Sequence, residues 1–223
     1  MPDRDVVVEV LPARVHGRYL LRDGGQDSRG LVVAFHGYGM SALGMLEEVD
    51  AIPSIDAWTV VSVQGLHRFY DSRSREVVAS WMTRQDRDLA IADNIAFVGE
   101  VVGRVFGSSE AAGPLVYVGF SQGTAMAYRA AAGIDQNCQG VIALGGDVPP
   151  DLADRGLASS PRVMIGRGLA DQWYGEDKVE ADLQLLTNLG CEAQVVRFSG
   201  GHEWTEEFRL RCQGFLANLA GSG

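Results

Sequence analysis

The chain has 223 residues, 46% of them hydrophobic and 22% charged, with a formal net charge of −10. These proportions exclude a disordered chain, a coiled coil and a fibrous repeat, and one large domain of this length buries roughly 70% of its unfolded surface without a disulfide or metal staple. The acidic balance repels nucleic-acid phosphates and anionic headgroups, so neither nucleic acid nor membrane is an expected partner.

Short apolar, β-branched runs recur at residues 6–10, 18–21, 31–35, 58–63, 115–118, 141–144, 163–165 and 193–198. Such side chains suit a pleated surface. Most runs are continuous rather than alternating, as in strands covered on both faces. No helix separates the first two runs. A loop around Pro12 and His16 joins them, and an antiparallel hairpin is expected there. Thereafter runs alternate with helical segments at 41–49, 86–106, 122–132, 176–189 and 203–219. Ser41 is a candidate N-cap, and Ile91, Ile95, Val98 and Val102 repeat at helical spacing.

The alternation predicts an α/β fold: a mostly parallel, eight-stranded sheet flanked by helices, as one domain over residues 1–223. Residues 145–162 are too few for a large cap domain, so an open site is expected. Residues 68–84 read as an irregular stretch and a candidate flap, with Arg68, Arg73, Arg75 and Arg84 on a solvated loop.

The first residues, Met1-Pro2-Asp3-Arg4-Asp5, lack a cationic segment followed by an apolar one. No apolar run approaches the ~20 residues of a membrane span. The expected location is cytoplasmic. Cys138, Cys191 and Cys212 are odd in number and contain no CxxC pair, so they read as small buried thiols rather than zinc ligands. Neither metal nor organic cofactor is expected, and monomer and homodimer both remain open.

The strongest chemical signal is Gly119-Phe120-Ser121-Gln122-Gly123, a G-x-S-x-G sequence between an apolar strand and an alanine-rich helix. Such a turn lifts the Ser121 hydroxyl above a sheet and sets it at a helix N-terminus, where a developing anion is favoured. The third run ends in His36-Gly37-Tyr38-Gly39. Acyl transfer needs two donors aimed at an oxyanion, and the backbone N–H groups of Tyr38 and Gln122 are the candidates. His36, before the serine and at a strand end, reads as a brace for this loop.

Of the four histidines, His202 in Ser199-Gly200-Gly201-His202-Glu203-Trp204 follows the last strand and fits the order Ser…Asp…His. It is the candidate general base. Asp171, just beyond the run at 163–165, is the candidate for orienting it, with Asp147 after the sixth run as the rival. Trp58 reads as core. Met40, Trp81, Trp173, Tyr174 and Trp204 sit near the candidate loops and, with Tyr38, suggest an apolar acyl or aromatic pocket with few charged contacts.

Together these motifs resemble the α/β-hydrolase fold over nearly the whole chain. More narrowly, they resemble the phospholipase/carboxylesterase family, which includes the acyl-protein thioesterases. The resemblance implies a catalytic triad of Ser121, Asp171 and His202, oxyanion donors on Tyr38 and Gln122, and a small-molecule carboxylic ester as substrate. Thioesterase or lysophospholipase-like hydrolysis, amide cleavage and a non-catalytic receptor are the alternatives. The chain departs from the family at Met40-Ser41-Ala42, where an Asp-Thr-Gly-like stretch is common, and at Gln172-Trp173-Tyr174, where a Val-Pro-like pair often follows the acid.

Overall fold

The computed structural model describes residues 7–108 and 113–221. Its elements are β1 (Arg18–Arg22), β2 (Leu31–Phe35), α1 (Ala42–Asp50), β3 (Thr59–Gln64), β4 (His67–Tyr70), β5 (Val77–Ser80), α2 (Arg87–Ser108), β6 (Leu115–Phe120), α3 (Gln122–Gly133), β7 (Cys138–Leu144), α4 (Leu152–Arg155), β8 (Arg162–Gly168), α5 (Glu176–Asn188), β9 (Ala193–Phe198) and α6 (Glu206–Ala220).

The central sheet runs β1-β3-β2-β6-β7-β8-β9. Only β1 is antiparallel to its neighbour, β3; every other pairing is parallel. The continuous apolar runs have the expected cause. In β2, Val33 and Phe35 face a core shared with Val98 and Val102 of α2 and Met126 of α3. Val32 and Ala34 face the opposite core, with Met45 of α1 and Phe208 and Cys212 of α6. Alternation of side chains across a strand thus feeds two helical layers at once. Trp58 lies in the second core, and all three cysteines are free and buried.

Caps set the helix starts. Ser41 Oγ accepts from Gly44 N–H at the head of α1, and Thr205 Oγ1 accepts from Phe208 N–H at the head of α6. The latter delays α6 to Glu206, three residues past the expected start. No helix among the described residues is long and apolar enough to cross a membrane.

Three expectations are corrected. The sheet has seven strands, because residues 7–10 form none; Val6 lies outside the described residues. Val7 and Val8 are 77% and 82% exposed, so this run has no sheet to pack on. The antiparallel partner of β1 is β3, reached across more than thirty residues of chain. The stretch at 68–84 is also not irregular. It contains β4 and β5, an antiparallel hairpin in register from His67↔Ser80 to Tyr70↔Val77. Asp71 closes its turn, with Oδ1 accepting from the N–H groups of Arg73 and Ser74 and from Ser74 Oγ. Between β7 and β8 stands only the four-residue α4, so no cap domain covers the sheet's C-terminal edge.

Candidate active site

Strand β6 ends in a sharp turn at Ser121, whose φ of 52° and ψ of −118° are unusual for a side-chain-bearing residue. Such a backbone costs on the order of 1–3 kcal/mol. The fold holds it through Ser121 N–H donating to Leu144 O at 2.8 Å and Thr124 Oγ1 donating to Ser121 O at 2.8 Å. A Cβ on Gly123 would lie 2.0 Å from the Phe35 carbonyl oxygen. Only glycine lets α3 start this close to β2.

His202 comes from the loop after β9, and Asp171 from the loop after β8. His202 Nδ1 and Asp171 Oδ2 are 2.8 Å apart. The buried carboxylate also accepts, at Oδ1, the N–H groups of Trp173 at 2.8 Å and Tyr174 at 3.1 Å. An ionised carboxylate only accepts, so the imidazole proton sits on Nδ1 and Nε2 is free to take one. The ring rests against Phe120, with centroids 5.0 Å apart. Gly145 makes room for it: with φ of 66°, a Cβ there would stand 3.0 Å from His202 Cε1. The rival Asp147 lines the same cleft but makes no hydrogen bond to His202, its carboxylate instead holding Lys178 Nζ at 3.1 and 3.2 Å.

On the other side, the N–H groups of Tyr38 and Gln122 donate to no described residue, and both residues line the cleft that holds Ser121 and His202. His36 braces this loop with both ring nitrogens. Gly65 N–H donates to Nε2 at 3.0 Å, so the proton is on Nδ1, which donates to Gly37 O at 2.8 Å. Burial pushes its pKa down to about 4.

A buried polar network then joins the two donors. Gln122 Oε1 accepts from Trp81 N–H at 3.0 Å and from Ser80 Oγ, while Nε2 donates to Met82 O. Trp81 Nε1 donates to His36 O at 2.8 Å. Asn94 Nδ2 donates to Trp81 O at 2.9 Å, and Asn94 Oδ1 accepts from Leu66 N–H. Neither Asn94 nor the Gln122 side chain was singled out from the sequence. The available signal was a polar residue beside Ile91, Ile95 and Val98 on the apolar face of an amphipathic helix.

The cleft has a volume of about 620 Å³. Of the aromatic and methionine side chains expected in it, Tyr38 and Trp173 are present, 64% and 75% exposed. The other four are not part of its lining. Trp81 is fully buried against His36, and Tyr174 is buried with its hydroxyl donating to Asp182 Oδ2 at 2.7 Å. Trp204 packs on Phe120 and Phe208, and Met40 bridges to Ala79. Their bulk supports the loops from behind. The expectation of few charged contacts also fails, since Arg87, Arg129, Asp147 and Lys178 all line the cleft. Among the described residues no three His, Cys, Asp or Glu side chains cluster to hold a metal ion.

A sequence model of the phospholipase/carboxylesterase family matches residues 20–174, well over half of the chain. The chain belongs to this family. Membership makes it a hydrolase of the carboxylesterase kind, acting on small-molecule esters. Its fold is that of solved family structures. The esterase PE8 matches with a TM-score of 0.72 at 23% identity, over 93% of this esterase and 100% of PE8. A carboxylesterase from Mesorhizobium loti gives 0.72 at 20% identity, over 90% and 94% of the two chains. Acyl-protein thioesterase 2 from Zea mays gives 0.72 at 17%, over 92% and 100%. Among curated proteins, no sequence matches this esterase.

Proposed function

We propose that this esterase cleaves carboxylic esters through an acyl-enzyme on Ser121. One observation carries the reading: a histidine–carboxylate pair, His202 Nδ1 to Asp171 Oδ2 at 2.8 Å, shares a cleft with a serine on a strained strand-to-helix turn.

His202 Nε2 takes the Ser121 hydroxyl proton as the oxygen attacks the ester carbonyl. The Nδ1–H bond to Asp171 keeps the ring in the right tautomer and stabilises the imidazolium. The Tyr38 and Gln122 amides receive the negative oxygen, aided by the N-terminus of α3. His202 returns the proton to the leaving alkoxide. Water, deprotonated by the same nitrogen, then releases the acid. Every residue required is in residues 1–223, which we read as one domain. The three free, buried cysteines suit the reducing cytoplasm we assign as its location.

The deciding experiment is labelling with a fluorophosphonate probe, followed by peptide mapping and hydrolysis of a p-nitrophenyl ester. Label on Ser121, with Ser121→Ala losing label and roughly 10⁶-fold of turnover, is the expected result. A Ser121→Ala protein that still turns over ester near the wild-type rate overturns the mechanism. A thioester would pass through the same acyl-enzyme, so matched ester and thioester substrates rank the two.

A further inference from the structure

We infer that the cleft selects esters that also carry a carboxylate, and that Arg87 binds that group. The inference rests on the cleft being the site of ester hydrolysis.

Three cationic side chains line the cleft: Arg87, Arg129 and Lys178. Two are already spent. Lys178 Nζ is held by both oxygens of Asp147 and by the Trp173 carbonyl at 3.0 Å. Arg129 is buried and gives Nε and Nη2 to the two oxygens of Asp151. Arg87 differs. It is exposed on the first turn of α2, and its guanidinium makes no hydrogen bond or ion pair with any described residue. The acids beside it in sequence do not neutralise it within the cleft. Asp88 lines a separate cavity with Ile91 and Arg155, and Asp86 accepts from Gln85 Nε2.

Arg87 is therefore the one cation lining the cleft with no acidic partner among the described residues, in a chain whose net charge is −10. Most of this surface repels anions, and an unpaired guanidinium at the cleft is a local point of attraction for one. A planar guanidinium with free donors matches a carboxylate in bidentate geometry, giving orientation as well as attraction. The remaining walls, Met82, Val148, Pro149 and Pro150, suit the short apolar spacer that would separate the ester from its acid. The class inferred is thus a half-ester of a short dicarboxylic acid or a comparable carboxylate-bearing ester.

The test compares the mono-p-nitrophenyl ester of glutaric acid with the same compound methylated on its free carboxylate. In the wild type kcat/KM should favour the free acid, and in Arg87→Gln the ratio of the two constants should fall by about tenfold. Arg87 is exposed, so the variant should fold, and its melting temperature checks this. Raising the salt should compress the wild-type ratio as well. A wild type that cleaves both esters with a ratio unmoved by Arg87→Gln overturns the inference and leaves the esterase reading standing. A wild type that cleaves neither ester and resists the fluorophosphonate overturns both.

Discussion

The side-chain oxygen of Gln122 accepts the backbone N–H of Trp81 at 3.0 Å, and the Trp81 indole N–H reaches the carbonyl of His36 at 2.8 Å. The residue after Ser121 and the loop that carries Tyr38 are therefore spaced by a third segment, residues 80–82. That segment is itself held by Asn94 of α2. Asn94→Leu strands the Trp81 carbonyl and the Leu66 N–H without partners. Losing buried partners costs about 1–3 kcal/mol, which urea unfolding should show. On the proposed mechanism kcat should fall with little change in KM, because only the transition state uses the amides. An equal rise in KM would point to a distorted binding cleft instead.

Asp171→Asn should lower kcat by about 10⁴-fold, as expected when an imidazole loses the carboxylate that fixes its tautomer. The asparagine can still accept the Trp173 and Tyr174 N–H groups, so the loop should keep its shape. Initial rates on a p-nitrophenyl ester, with circular dichroism as the folding check, decide the matter. Activity within tenfold of wild type would remove Asp171 from the mechanism.

Gly145→Ala probes the room left for the imidazole. Its Cβ would stand 3.0 Å from His202 Cε1 in a left-handed backbone. The ring must move by a few tenths of an ångström or more, and a misplacement of a catalytic group that reaches about 1 Å costs roughly 10²-fold in rate. The expected result is a large loss of kcat. Thermal stability should fall only by about 1–2 kcal/mol from the strained backbone.

Stability should depend on pH through His36. Its folded pKa, about 4, lies below the ordinary 6.5 because burial disfavours the imidazolium. The unfolded chain binds the extra proton first, so the contribution is intact above pH 6.5 and is lost as pH falls toward 4. The span corresponds to about 3 kcal/mol. Asp182 works the other way. Burial raises its pKa from 3.8 to about 6, so its contribution is full below pH 3.8 and is lost as pH rises through 6. The two partly cancel in the wild type. The stability difference between wild type and His36→Gln isolates the histidine and should shrink steadily from pH 7 to pH 4, as measured by urea unfolding. A difference independent of pH would contradict the neutral, doubly bonded ring.

What could be read from the sequence was local. Gly119 through Gly123 and the runs around it lie within a few residues of one another, and sterics alone impose the strand-turn-helix. The pairing of His202 with Asp171 follows from two loops at the same edge of one parallel sheet, which chain order implies. The failures were all matters of partnership. Residues 7–10 have the composition of a strand but no neighbour to bond. The hairpin of β4 and β5 is hidden by a charged turn whose stability comes from the Asp71 side chain. Trp81, Tyr174 and Trp204 are adjacent to the site in sequence, yet each turns its ring into the core, where its apolar area is worth more. Arg87 escaped notice because an unpaired cation is recognisable only once the paired ones are known.

The bridge between Met40 and Ala79 sets how the hairpin can behave. Gly39 N–H donates to Ala79 O at 3.0 Å and Ala79 N–H to Met40 O at 2.9 Å, so β5 is stitched to the residues immediately after Tyr38. The hairpin is consequently no free shutter over the cleft. Any swing of its tip must drag the Tyr38 amide with it, so access for substrate and alignment of that amide share a single mechanical coordinate.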